Sequence, residues 1–424
     1  MSRAIALAQQ KVEKPNRLAA AAFLLFAFTL SPRLDSGTYG IILTSGSLIY
    51  ILPGLLRSSG DLFPPEFLAF VGLVGLYVLL SIGHVFPTEG FLFNRFYVTH
   101  QASGLLIFAA TYPAFVKASR SLLFAREAAL DITIVAIISF VVGITLRPGE
   151  NMILDGQLYG SMSPVMLVQF SFFIVVVALV RGRLSRALLL LLAVPFMGAA
   201  TNLLIQLALA ITCMFKGNRT IPLAIFGSLL IFVLLMAFPP HFIDEIIRAD
   251  SNSHVRAQMW HEALPIIVSH PLGIGFGTSY TDLQAMRDPI ILHTYSGNLE
   301  RSFEIANHNS FIDTALRMGI MGLILLMFLF WKSWSKLRGD ENLLIGSAVL
   351  CICLIASGLS PTFEGGRAIL FMTLGTAYLR AALCWEMQRA RNGGAQANAS
   401  PSQPARGSPG EHRRTLAAIT LSRP

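Results

Sequence analysis

Apolar runs of about 18 to 22 residues recur along almost the whole chain, each long enough to cross a hydrocarbon core of about 30 Å as a helix. The runs are continuous and not alternating, so they predict helices and not the strands of a barrel. Twelve crossings are expected, at about 18–34, 38–56, 66–85, 98–116, 128–146, 161–180, 186–199, 201–215, 221–239, 309–331, 342–359 and 367–385. One long polar stretch, Pro240–Asn307, interrupts them. The expected fold is therefore all-α: a polytopic membrane protein with crossings one to nine in 1–239, a large external loop in 240–307, and crossings ten to twelve in 308–387. Beyond 388 the chain turns Gly-, Ala-, Ser-, Pro- and Arg-rich, a composition that predicts a disordered tail.

Composition agrees with this pattern. Hydrophobic residues make up 54% of the 424 and charged residues only 13%, and the mean hydropathy is +0.63, too little polar surface to coat a soluble globule of this size. The first run follows Arg3, Lys11, Lys14 and Arg17 and has no small-x-small cleavage site after it, so it is expected to stay as an uncleaved first helix. Lys117, Arg120 and Arg126, then Arg181, Arg183 and Arg186, then Lys216 and Arg219, then Lys332, Lys336 and Arg338 fall on even connections. The odd short connections hold only Arg33, Arg95, Arg147 and Arg367. By the positive-inside rule both termini are cytoplasmic and the polar stretch is external, provided Leu184–Phe215 makes two short crossings and not one. The net charge of +9 is mostly this bias plus a basic tail, and does not point to nucleic acid. Cys213, Cys351, Cys353 and Cys384 fall in or at the ends of expected crossings and make no CxxC pattern.

The polar stretch gathers ionisable chemistry. Six of the nine histidines, His241, His254, His261, His270, His293 and His308, lie in it or at its end, with Arg248, Arg256, Arg287 and Arg301. Apolar residues at 255, 259, 263 and 266 repeat with helical spacing, which predicts an amphipathic helix along the outer membrane surface. Arg256 and Trp260, one turn apart, share a face of it; the pair suits cation–π stacking or phosphate binding, and equally an ordinary interfacial anchor. His270-Pro271-Leu272-Gly273-Ile274-Gly275-Phe276-Gly277 lacks the strand and helix context of a nucleotide-binding loop and predicts a close-packed turn instead. The histidines have no HxH or HxxxH spacing, so no metal is expected. His308 stands among Asn307, Asn309 and Ser310 where the loop gives way to the tenth crossing. Residues of this kind cap free backbone N–H groups, and the positive end of a helix favours an anion. Asp313 and Arg317 follow at i, i+4, a spacing that suits a structural ion pair.

Taken together, Arg256 and Trp260, then Pro271 to Gly277, then His308-Asn309-Ser310-Phe311 leading into Gly319-Ile320-Met321-Gly322, resemble the O-antigen ligase and polysaccharide polymerase superfamily. The resemblance implies a bacterial inner-membrane glycosyltransferase that moves a glycan from an undecaprenyl-diphosphate carrier to a hydroxyl acceptor on the periplasmic side, with no cofactor. It implies His308 as general base and Arg256 as a diphosphate-binding cation, with Trp260 and Asn309 beside the substrate. The family's Ser-Arg pair between the seventh and eighth crossings is replaced here by Gly198-Ala199-Ala200-Thr201-Asn202, and Arg147, Arg301 and Arg367 are the candidates to supply the second cation. A Pro-Asn pair common before the sixth crossing reads Ser163-Pro164-Val165. The acceptor, a lipid A core for a ligase or a second carrier-linked glycan for a polymerase, stays open, as does a transporter or flippase of lipid-linked sugars, which would use Asp313, Arg317 and the break near Pro195.

Overall fold

A computed structural model describes residues 17–30, 36–55, 62–86, 91–123, 153–154, 157–158, 218–249, 251–279, 309–338 and 340–359, with scattered helical positions at 204–212 and 373–390. Nearly all of them are helical: α1 (Arg17–Leu30), α2 (Ser36–Leu55), α3 (Pro65–Ile82), α4 (Phe96–Leu123), α5 (Thr220–Ala237), α6 (His241–Ala249), α7 (Ser251–Ser269), α8 (Ser310–Ser335) and α9 (Asp340–Leu359). Two-residue strands β1 (Leu92–Phe93), β2 (Ile153–Leu154), β3 (Gln157–Leu158) and β4 (Thr278–Ser279) form two antiparallel ribbons, β1 with β4 and β2 with β3.

The expected crossings one to four, nine, ten and eleven coincide with α1 to α4, α5, α8 and α9 to within a few residues. Crossings five to seven lie outside the described residues, and only isolated positions of the eighth and twelfth are described. Among the described residues four helices are long and apolar enough to cross a membrane: Pro65–Ile82, Thr220–Ala237, Ser310–Ser335 and Asn342–Leu359. In α5 only 28% of the apolar window is buried although its mean hydropathy is 2.5, so its outer face is as apolar as its inner one. A helix apolar all round and still exposed needs lipid, not water, on its outer side. The same holds for Leu68, Leu76 and Leu79 on α3 and for Ile320, Met321 and Ile324 on α8, all exposed. The chain is a helical membrane protein.

Two apolar cores organise the packing. One runs through α1 to α4, α8 and α9, with Phe67, Phe70, Phe108 and Phe115 fully buried at its centre. The other joins α5, α6, α7 and the start of α8 through Val233, Met236, Val255, Met259, Trp260, Ile312 and Leu316. The expected stripe on α7 is present, with Val255, Met259 and Ala263 buried, but it faces α5 and α8 and not a membrane surface. An apolar stripe has the same sequence pattern whether lipid or protein covers it, and here protein does.

Cations mark one end of this arrangement and the polar insert the other. Lys332 Nζ on α8 lies 2.8 Å from Glu66 Oε2 at the start of α3, and both are largely buried. Arg219, before α5, donates to the carbonyls of Ser335 (3.1 Å) and Leu337 (2.5 Å), closing the carbonyl end of α8 as a cation should. At the opposite ends of α3, α5 and α8 sit residues 83–86 and 91–95, α6, α7 and the glycine-rich turn.

Candidate functional site

The site is built around the start of α8, which the sequence breaks in two. Gly319 has φ 67° and ψ −172°, a conformation reserved in practice for glycine, and it divides Ser310–Met318 from Ile320–Ser335. A continuous helix would direct the carbonyls of Leu316 and Arg317 to the amides of Ile320 and Met321. Here they accept instead from Ile274 N (2.8 Å) and Gly275 N (3.0 Å), while Ile320 N donates to Pro271 O (2.9 Å). The turn after α7 thus plugs into the broken helix and satisfies the groups that the break sets free, as buried backbone requires.

Only glycine permits so close an approach. A Cβ on Gly273 (φ 79°) would lie 2.5 Å from Gly319 N, and one on Gly319 would collide with the Pro271 carbonyl oxygen. The rest of the turn is bound just as fully. Tyr77 Oη donates to Leu272 O (2.7 Å), Phe276 N to Ser81 Oγ (2.8 Å), and Gly277 N to Gln101 Oε1 (2.7 Å). Gln101 Nε2 donates to Thr278 O (3.1 Å), and β4 pairs with β1, Thr278 opposite Phe93. Arg317, 3% exposed, donates from Nη1 to Thr278 O and to Thr278 Oγ1 (2.9 Å), with its Nε 3.7 Å from Asp313 Oδ1. The expected ion pair is there, but it serves the turn as much as the helix. None of Tyr77, Ser81 and Gln101 was singled out from the sequence; the available signal was a hydroxyl or amide set in an otherwise apolar run.

The residues expected at the site divide into three groups. Arg256 is half-buried on α7, on the helix that packs against the first turns of α8. Trp260 and Asn309, expected beside the substrate, are both enclosed. Trp260 is fully buried with its ring 6.1 Å from Phe232. Asn309 is 1% exposed and its side-chain oxygen accepts from Phe311 N (3.0 Å) and Ile312 N (3.1 Å), the N-cap of α8. His308, Arg301, Arg147 and Arg367 lie outside the described residues, as does the stretch 198–202. Asn309→Ala is expected to cost about 1 kcal/mol of stability and Asn309→Ser much less, measured as the shift in thermal unfolding of the detergent-solubilised protein.

The histidines within the described part of the insert are dispersed. His261 Nδ1 lies 2.8 Å from Ala237 O, His254 Nε2 3.1 Å from Gln258 Nε2, and His241 Nδ1 3.8 Å from Glu245 Oε1. Among the described residues no three His, Cys, Asp or Glu side chains are grouped as a metal would need.

Residues 152–327 match the family model described as O-antigen ligase. The similarity to the O-antigen ligase family is confined to that stretch of the chain. The matched stretch includes α5, α6, α7, the glycine-rich turn and α8 as far as Met327, so both sides of the interlock lie within it. Comparison with curated proteins gives no match. The match supports a membrane protein of surface-polysaccharide biosynthesis with a glycan-transfer role.

Proposed function

We propose that the protein transfers a glycan from an undecaprenyl-diphosphate carrier to a hydroxyl acceptor at the periplasmic face of the inner membrane, as an O-antigen ligase. What carries the proposal is the location of Arg256: a cation half-buried on the helix that packs against the start of α8, inside the stretch that matches the O-antigen ligase family, with His308 one residue before the N-cap of α8 in sequence. The topology that goes with it has twelve crossings, both termini in the cytoplasm, and the polar insert outside, where nucleotide sugars are absent and the activated donor is lipid-linked.

In the proposed reaction His308 takes the proton of the acceptor hydroxyl as that oxygen attacks the anomeric carbon. The bond from the anomeric carbon to the diphosphate oxygen breaks, and the electron pair leaves with the carrier diphosphate. Arg256 neutralises the charge that builds there, and the positive end of the α8 dipole adds a favourable field. A second cation is drawn from Arg147, Arg301 and Arg367. Trp260 and Asn309 act from behind the site, Trp260 by holding α7 against α8 and Asn309 by fixing the first turn of the helix.

Arg256→Ala is expected to reduce transfer of an undecaprenyl-diphosphate-linked oligosaccharide onto a lipid A core acceptor by about 100-fold or more. Arg256→Lys should recover only part of it, because a point charge replaces a planar fork. The check is the yield of glycosylated acceptor in membranes carrying each variant at equal amounts. Movement of the labelled oligosaccharide lipid across sealed vesicles with no new glycosidic bond would overturn the proposal in favour of a flippase. Extension of the carrier-linked glycan without use of the core acceptor would make the enzyme a polymerase.

A further inference from the structure

Arg256 stands on α7, and the start of α8, which follows His308 in sequence, is cut from the rest of its helix at Gly319. A helical stub of Ser310–Met318 is too short to hold its own position, since isolated helices of that length are marginal. Its placement comes from outside. On one side it packs on α7 through Ile312, Leu316, Met259 and Trp260. On the other, Leu316 O and Arg317 O accept from the glycine-rich turn that leaves α7, and the buried Arg317 side chain grips Thr278 at the end of that turn. The turn is tied in its turn to α3 and α4 by Tyr77, Ser81 and Gln101.

We propose that Arg317, with Thr278 as its partner, is a positioning residue of the transfer reaction: it fixes the α8 stub, which follows His308 in sequence, against α7, which carries Arg256, and does not itself bind the carrier diphosphate. The guanidinium is committed to the carbonyl and hydroxyl of Thr278 and faces Asp313, a carboxylate that would oppose a phosphate at the same place. Catalytic groups need placement to within about 0.5 Å, and a displacement of about 1 Å from a change away from the chemistry can cost about 100-fold in rate. Lysine at 317 keeps the charge but replaces a planar, pre-organised guanidinium with a point charge on a flexible stem, which holds Thr278 less firmly.

The test rests on the transferase function proposed above and carries a second readout that does not. Arg317→Lys, Thr278→Val and the double variant are compared with wild type in proteoliposomes supplied with undecaprenyl-diphosphate-linked oligosaccharide and a lipid A core acceptor. Each single change is expected to lower kcat by about 10-fold or more with the KM for the carrier lipid unchanged. The double variant should be no slower than the worse single one, because the two side chains act as a unit. A raised KM with kcat retained in Arg317→Lys, or fully multiplicative losses, would overturn the proposal. Amide hydrogen exchange is followed in the same proteins. In both single variants it should quicken together in 271–279 and 310–320 and stay unchanged in α5; no change in either segment would likewise overturn it. If wild type transfers nothing from these substrates, the transferase function fails, and the exchange result alone decides whether Arg317 and Thr278 set the stub.

Discussion

Gly319→Ala is expected to be the most damaging single-methyl change in the described part of the molecule, costing on the order of 2 to 6 kcal/mol. Two terms add. An L-residue at φ 67° and ψ −172° is strained by about 1 to 3 kcal/mol, and the new methyl would meet the Pro271 carbonyl and the backbone of Leu272, which cannot give way without breaking the interlock. Overpacking of this kind costs typically about 1 to 3 kcal/mol more. If α8 relieved the strain by becoming continuous, Leu316 O and Arg317 O would return to the helix ladder, and Ile274 N and Gly275 N would lose their partners. Gly227→Ala in α5 is the control: nothing lies within 4 Å of its Cβ position, and a helical alanine there should be neutral or stabilising by up to about 1 kcal/mol. Thermal unfolding in detergent checks both, with a large drop expected only for Gly319→Ala.

His308→Ala is expected to lower kcat for glycan transfer by about 100- to 10,000-fold, the range that a positioned general base contributes. The protein should fold as before, because the side chain of Asn309 caps α8. The loss should be in kcat and not in the KM for the carrier lipid, since a base acts on the acceptor proton as the reaction proceeds and adds little to binding of the diphosphate. His308→Gln, which keeps a hydrogen-bonding side chain but cannot take up the proton, should be nearly as slow as alanine.

The helices were legible in the chain because a hydrocarbon-spanning run needs only length and continuous apolarity, both local properties. Hence α1 to α5, α8 and α9 fall where the runs fall. The start of α8 was legible too, since Asn309 followed by Ser310 is a local capping signal and the cap is made by Asn309. The close-packed turn at 270–277 was foreseen from its glycines, but what it packs against was not. Gly273 meets Gly319 across 46 residues of chain, and nothing in either neighbourhood names the other. The same limit hid the part played by Ser81 and Gln101, whose partners Phe276 and Gly277 are far along the sequence. Trp260 was misplaced toward the surface for a related reason. An aromatic on an amphipathic helix suits a lipid interface and a protein core equally well, and only the presence of Phe232, Met259 and Ile312 around α7 decides for the core.

Transfer itself is the most direct test. Purified wild-type protein in proteoliposomes, given a labelled undecaprenyl-diphosphate-linked oligosaccharide and a lipid A core acceptor, is followed for label joined covalently to the acceptor, alongside His308→Ala and Arg256→Ala. The expected result is transfer by wild type, with both variants slower by about 100-fold or more while their thermal unfolding is unchanged. Wild-type rates of transfer in both variants would contradict the central claim.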